Sequence, residues 1–128
     1  MILLDTRGEG TNANKDFNDY HIVGSVSFPH GWMNRQNQFG ALLRFKNLEE
    51  KVIIVFNDNE RHGTQVAKVL TEKGFGNIYL LTGGIQAFFL DYPDLIDGNE
   101  IPDYYEFKRY VETSLPSAYN KSSPQKKK

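Results

Sequence analysis

The chain has 128 residues, a formal net charge of −1, nine Phe, seven Tyr and no cysteine. That length suits one domain with a single sizeable core, and the near-zero charge excludes a polyelectrolyte. Without cysteine there is no disulfide framework, no thiolate metal site and no thiol chemistry, which fits a reducing, cytoplasmic setting.

Met1-Ile2-Leu3-Leu4-Asp5 meets charge too early for a signal peptide. No apolar run approaches the roughly 20 residues needed to span a bilayer, so no membrane partner is expected. Ile2-Leu3-Leu4 reads as a short buried strand, followed by the loop Asp5-Thr6-Arg7-Gly8. Residues 8–14 are turn-rich, and Asn14 or Asp16 is a candidate cap for a short helix through Phe17 and Tyr20. His21 to Pro29 reads as a turn, one strand and a proline stop. Residues 30–40 form a loop anchored by Trp32 and Phe39, and Leu42, Leu43, Phe45 and Leu48 recur at helical intervals.

The centre of the chain is the apolar run Val52–Phe56, β-branched and continuous, as in a strand buried on both faces of a parallel sheet. A polar loop follows, Asn57-Asp58-Asn59-Glu60-Arg61-His62-Gly63. From Thr64 the pattern is helical, with Val66, Ala67, Val69 and Leu70 on one face and Gly74 as the stop. Ile78–Leu81 is another short strand, Thr82-Gly83-Gly84 a tight loop, and Ile85–Leu90 a helix. Alternating strands and helices define an α/β fold with a small parallel sheet flanked by helices. The loops Asp5–Gly8, Asn57–Gly63 and Thr82–Gly84 then share one edge, where open sheets of this kind place their chemistry.

The composition changes near residue 90. Asp91, Asp94, Asp97, Glu100, Asp103 and Glu106 form an acidic stretch; Lys108, Arg109, Lys121 and Lys126–Lys128 make the remainder basic. Phe107, Tyr110, Val111 and Leu115 can form a short amphipathic helix, and residues 116–128 have the composition of a disordered tail. This gives a domain over 1–101 and an aromatic and basic extension over 102–128.

Three motifs carry a family resemblance over residues 2–92. Leu3-Leu4-Asp5-Thr6-Arg7 resembles a first strand ending in Asp-x-Arg, His21-Ile22-Val23-Gly24-Ser25-Val26 with Phe28-Pro29 resembles the HIPGAxxxP signature, and Asn77–Ala87 resembles a closing strand with a Gly-Gly helix start. The chain resembles a rhodanese-like domain. It lacks the segment that usually precedes the Asp-x-Arg strand, which implies a fold trimmed at its N-terminus. In that family the loop after the central strand opens with a cysteine that carries sulfur as a persulfide, held by loop N–H groups. Counting back from the helix, Asn57 falls at that position; a one-residue shift would put Phe56 there. Neither is a nucleophile, and Asp58 and Glu60 repel an anionic substrate. The loop Asn57, Asp58, Asn59, Glu60, Arg61, His62 and Gly63 is thus a degenerate active-site loop.

The acidic loop with Glu60-Arg61 and Gln65, the Tyr20–Ser25 wording and the run Tyr92–Gly98 with Pro102 resemble the centrosomal branch of the family, associated with cilia and tubulin glutamylation. The resemblance implies a pseudoenzyme that acts as a structural or adaptor protein, located on the cytoskeleton at a cilium or basal body. Tubulin or another axonemal protein is the expected partner. The candidate contact residues are Tyr104, Tyr105, Lys108, Arg109, Tyr110, Lys126, Lys127 and Lys128, which with Tyr119 suit an acidic protein surface; nucleic acid is disfavoured. The alternatives are a small-anion-binding regulatory domain in the old pocket and, below it, a sulfurtransferase or phosphatase.

Single residues also have plain structural readings. His21 is expected to pack and hydrogen-bond locally, Asp5 and Arg7 to form an ion pair, and Asp58 with Glu60 to form a solvated rim. Three dispersed histidines, His21, His30 and His62, without thiolates make no metal site, and no cofactor is expected.

Overall fold

The computed structural model describes residues 1–34, 40, 42–44, 46 and 51–114. Four strands form a parallel sheet: β1 (Ile2–Asp5), β3 (Val26–Ser27), β4 (Ile53–Phe56) and β5 (Ile78–Leu80), in the order β3-β1-β4-β5. The register pairs Ile2 with Ile53 and Asp5 with Phe56 across β1 and β4, then Val55 with Leu80 across β4 and β5. β4 is central and its side chains leave water almost completely: Ile53, Val55 and Phe56 are each 0% exposed. A run without polar alternation sits there because helices cover both faces of the sheet. Among the described residues no helix is long and apolar enough to cross a membrane.

The helices are α1 (Lys15–Asp19), α2 (Glu60–Glu72), α3 (Gly84–Asp91) and α4 (Tyr104–Ser114). One core cluster gathers Leu4, Phe28, Leu42, Ile53, Val55, Val66, Leu70 and Phe75. A second, on the other face, gathers Ile22, Phe56, Ile85, Phe89, Ile96, Phe107 and Val111. α2 ends where Gly74 was expected to stop it. The Phe75 N–H returns to Leu70 O at 3.1 Å and the Gly74 N–H to Thr71 O at 3.0 Å, the double closure of a Schellman motif.

Four expectations need correction. α2 begins at Glu60 rather than Thr64, because the Asn59 side chain accepts from the His62 N–H at 3.0 Å and caps a turn earlier. Glu60, Arg61, His62 and Gly63 therefore belong to the helix, and the loop shrinks to 57–59. The His21–Pro29 segment is two strands, not one: β2 (His21–Ile22) leaves the main sheet and pairs antiparallel with β6 (Ile96–Asp97), while β3 joins β1. Asn14 precedes α1 but does not cap it with its side chain; its Oδ1 accepts from the Ser27 hydroxyl at 2.6 Å instead.

The last correction is the boundary at 101/102. Phe107 and Val111 are 9% and 7% exposed and complete the second core, so α4 is part of the domain. Phe107 lies edge-on to Phe89 at 4.8 Å, and the Tyr104 hydroxyl donates to Leu90 O at 2.9 Å. Phe39, Phe45, Leu48, Leu115 and residues 116–128 lie outside the described residues.

Candidate functional site

The three loops expected to share an edge do meet. Thr6 leaves β1 with its N–H and its hydroxyl both donating to Phe56 O, at 3.0 and 2.8 Å. Asn57 follows directly. Its Nδ2 donates to Thr6 O at 3.1 Å and to Thr6 Oγ1 at 3.0 Å, and its Oδ1 accepts the Asp58 N–H at 2.8 Å. Phe56, the other residue considered for the cysteine position, is wholly buried in the core, so Asn57 is the first residue of the loop. It is only 6% exposed, and its amide is turned into the sheet edge as a cross-tie.

The third loop closes on the second. The N–H groups of Ile85 and Gln86 donate to Asn57 O and Asp58 O at 3.0 and 3.1 Å. The Gly83 N–H donates to the Glu60 carboxylate at 3.0 Å. Gly83 and Gly84 have φ of 80° and 67°. A Cβ at Gly84 would stand 2.7 Å from Asn57 O, Asp58 O and Asn59 Cα, so the close approach and the left-handed backbone both require glycine there. The Gly-Gly pair therefore seats one loop on another.

In a cradle for an anion, loop N–H groups converge on a vacant centre. Here the Asp58 N–H is taken by Asn57, and the His62 and Gly63 N–H groups by Asn59. The two asparagine side chains thus accept from the Asp58 and His62 N–H groups within the loop itself.

Beneath the edge lies a buried ion pair. Arg7 and Asp5 are 2% and 0% exposed; the guanidinium donates to Asp5 at 2.8–3.3 Å, to Tyr20 O, and stacks 4.7 Å from the Tyr20 ring centroid. Burial alone would lower the Arg7 pKa, but the hydrogen bond and charge of Asp5 outweigh it and raise it. Burial pushes the Tyr20 hydroxyl up to about 12 against the lowering influence of Arg7. The expected ion pair is thus present and fully enclosed.

A cleft of about 720 Å³ opens beside the loop, lined in part by Glu9, Asp16, His30, Asn57, Asp58, His62 and Gln65. Asp58 is half-buried, which corrects the solvated-rim reading: burial raises its pKa, partly opposed by Arg7. Glu60 is exposed, though held by Gly83. Lys15 is the cleft's one lysine, and its ammonium is bound to Asp19 at 2.7 Å, which raises its pKa and keeps it protonated. Among the residues lining the cleft there is no hydroxyl or thiol. Asp58 is the half-buried carboxyl there and can exchange a proton with the cleft.

His21 behaves as expected: its Nδ1 is 2.7 Å from Phe17 O and its ring stacks on Phe17 at 4.1 Å. His62 is exposed, whereas His30 is half-buried with Nε2 3.8 Å from the Glu9 carboxylate. Of the candidate contact residues on α4, Tyr105 and Tyr110 are 72% and 57% exposed and Lys108 and Arg109 are exposed; Tyr104 is half-buried. Lys126, Lys127 and Lys128 lie outside the described residues. The structural role of Asn57 was missed by the sequence reading; the signal available was an amide directly after a buried strand end, opposite a loop threonine.

A fold of this topology, with Asp-x-Arg under the edge and a helix opening after the central strand, defines a rhodanese-like domain, and the family model for that domain matches residues 1–91. The chain belongs to the rhodanese-like family. Among solved structures it is similar to the rhodanese-like domain of an Anabaena protein (21% identity, TM-score 0.59, 76% of this chain and 98% of that one). It is also similar to a Bacillus halodurans protein (22% identity, TM-score 0.57, 80% and 69%); at these identities the likeness is one of fold. Among curated proteins it is similar to the human Centrosomal protein of 41 kDa, with 30% identity over 128 residues, 97% of this chain and 31% of that protein. The chicken protein of the same name is 34% identical over 102 residues, 77% and 26%. The chain therefore spans between about a quarter and a third of the length of these relatives.

Proposed function

We propose that the chain is a catalytically silent rhodanese-like module that acts through protein contacts in a centrosomal or microtubule-based assembly. The observation that carries the first half is Asn57. At the loop position where the family's reaction needs a thiolate stands an amide whose donors and acceptor are tied to Thr6 and Asp58. Carbon–nitrogen amide chemistry supplies no leaving or accepting sulfur, so sulfur transfer loses its reacting atom. The second half is supported by the names of the relatives at about 30% identity, which place those proteins at centrosomes.

The partner of choice is an acidic protein surface such as a tubulin tail or an axonemal protein, met by Tyr105, Lys108, Arg109 and Tyr110 on the outer face of α4 together with Lys126–Lys128. A location on the cytoskeleton, at a centrosome, cilium or basal body, goes with that reading. Truncation near Pro102 is not a usable probe, because it removes Phe107 and Val111 from the core. The test is co-sedimentation of the full chain with microtubules against K108E/R109E and a variant with Lys126–Lys128 changed to glutamate. The parent should pellet and both variants should pellet less; a parent that stays in the supernatant at low salt refutes the microtubule reading. A thiosulfate–cyanide assay on highly purified protein should show no turnover, and sustained turnover refutes the silent-module reading.

The alternative, a small-anion sensor, would use this cleft. Its lining carboxylates Glu9, Asp16 and Asp58 disfavour an anion. Calorimetry with thiosulfate and phosphate should show no heat; measurable binding would favour the sensor.

A further inference from the structure

The small ribbon of β2 and β6 has one face in the core; on the other, His21 stacks on Phe17 at 4.1 Å and the remainder is open. The register pairs His21 with Asp97 and Ile22 with Ile96. One step further, the Val23 N–H donates to Leu95 O at 2.8 Å, so Val23 and Leu95 continue the pairing. Alternation along each strand sends Ile22 and Ile96, 3% and 7% exposed, inward. It sends Val23 and Leu95, 53% and 48% exposed, outward on the same side as Asp97. Leu95 closes the turn Pro93–Leu95, and Tyr92, 56% exposed, stands at the head of that turn with its ring 5.2 Å from Phe88. Val23 and Leu95, from two chain segments, thus form an uncovered apolar pair on the outer face of the ribbon, with the exposed Tyr92 at the head of the adjoining turn.

The charge along residues 91–103 has one sign, and Lys15, the cation that acts on Glu100 from α1, is already paired with Asp19 at 2.7 Å. Asp91, Asp94, Asp97 and Glu100 are all exposed, and no lysine or arginine occurs between residues 91 and 103. An acidic protein surface is repelled here, so this face is distinct from the one assigned to α4.

We propose that the outer face of the β2–β6 ribbon, with Tyr92, is a docking site for a basic protein segment whose lysines or arginines alternate with apolar anchors. The apolar anchors cover Val23, Leu95 and Tyr92, and the cations meet the aspartates that rim them. Affinity comes from the apolar contact, and the carboxylates select the sign of the partner and speed its approach. The site goes beyond the acidic-partner reading and does not depend on it: failure on microtubules leaves this face untouched.

The test is an amide chemical-shift titration of the full chain with an acetylated heptapeptide alternating lysine and leucine. Two control peptides replace lysine by glutamate and leucine by serine. Shifts should concentrate at Val23, Tyr92, Leu95 and Asp97. The serine peptide and the L95S variant should each bind about tenfold more weakly, the loss expected of an apolar anchor. D94N/D97N should weaken binding and flatten its dependence on salt. V23S, at a second exposed position, repeats the test should L95S be poorly folded by circular dichroism. The proposal is overturned by no shifts in large peptide excess, by equal binding of the glutamate peptide, by shifts centred on Lys108–Glu112, or by undiminished binding to both L95S and V23S.

Discussion

Replacing Asn57 by Asp tests the assignment of this residue as a cross-tie, because it changes polarity and leaves shape alone. The Oδ1 that receives the Asp58 N–H survives, but the Nδ2 that donates to Thr6 O and Thr6 Oγ1 becomes an oxygen facing two oxygens. Each lost hydrogen bond is worth about 0.5–1.5 kcal/mol, with a further cost for a carboxylate in a site only 6% exposed. The Thr6 hydroxyl can turn its proton to the new carboxylate, but it then releases Phe56 O, which it now holds at 2.8 Å. The net expectation is a loss of about 2–3 kcal/mol at neutral pH, or roughly 5–10 °C in Tm. Urea unfolding followed by the single tryptophan, Trp32, which lies edge-on to Phe28 at 5.7 Å, reads it directly. The sign of the pH dependence is a second check. Burial raises the folded pKa of the new carboxyl above its unfolded value of about 3.9, so the folded state holds the proton longer and stability falls as pH rises through that window. The penalty should therefore shrink on acidification below it. N57D within about 0.5 kcal/mol of the parent at pH 7, or a loss that does not change with pH, would refute the cross-tie.

Other expectations follow from the same geometry. R7A leaves Asp5 charged and enclosed, and should cost about 3–5 kcal/mol in urea unfolding. G84A forces a Cβ against the 57–59 backbone at positive φ and should cost about 2–4 kcal/mol, well above a Gly-to-Ala change at an open site such as Gly40. F107A should cost about 3–5 kcal/mol, and a chain ending at residue 101 should not give a cooperative unfolding transition, since the second core is left open. Ionised Asp58 is disfavoured by burial, so its folded pKa lies above the ordinary value and its penalty grows as pH rises through that window. D58N should be more stable than the parent at pH 7, with the gain vanishing at acid pH.

The parallel sheet and the meeting of its three loops were legible because they rest on strong local signals: the unbroken apolar run at β4, the Gly-Gly turn and the Asp-x-Arg end of β1. The β2–β6 ribbon was not. Its strands are two residues each, too short for periodicity to register, and His21 meets Asp97 only through the fold. The early start of α2 was hidden because an asparagine at position 59 reads equally as loop or cap until its partner N–H is seen. α4 was recognised as amphipathic, yet nothing in its pattern says that the apolar stripe faces this domain rather than a partner. At the loop itself the missing thiol was plain from composition, whereas the structural task of the residue replacing it needed the position of Thr6.

The locked Asn57-Asp58 step bears on chemical ageing. Asparagine deamidates when the following backbone nitrogen attacks its side-chain carbon, a path that needs both groups mobile and wet. Here the amide is anchored through Nδ2 to Thr6, which limits its rotation toward the Asp58 nitrogen, and it is shielded from solvent. While folded, the chain resists conversion to the same aspartate whose cost was worked out above; each excursion to the unfolded state exposes it to that damage.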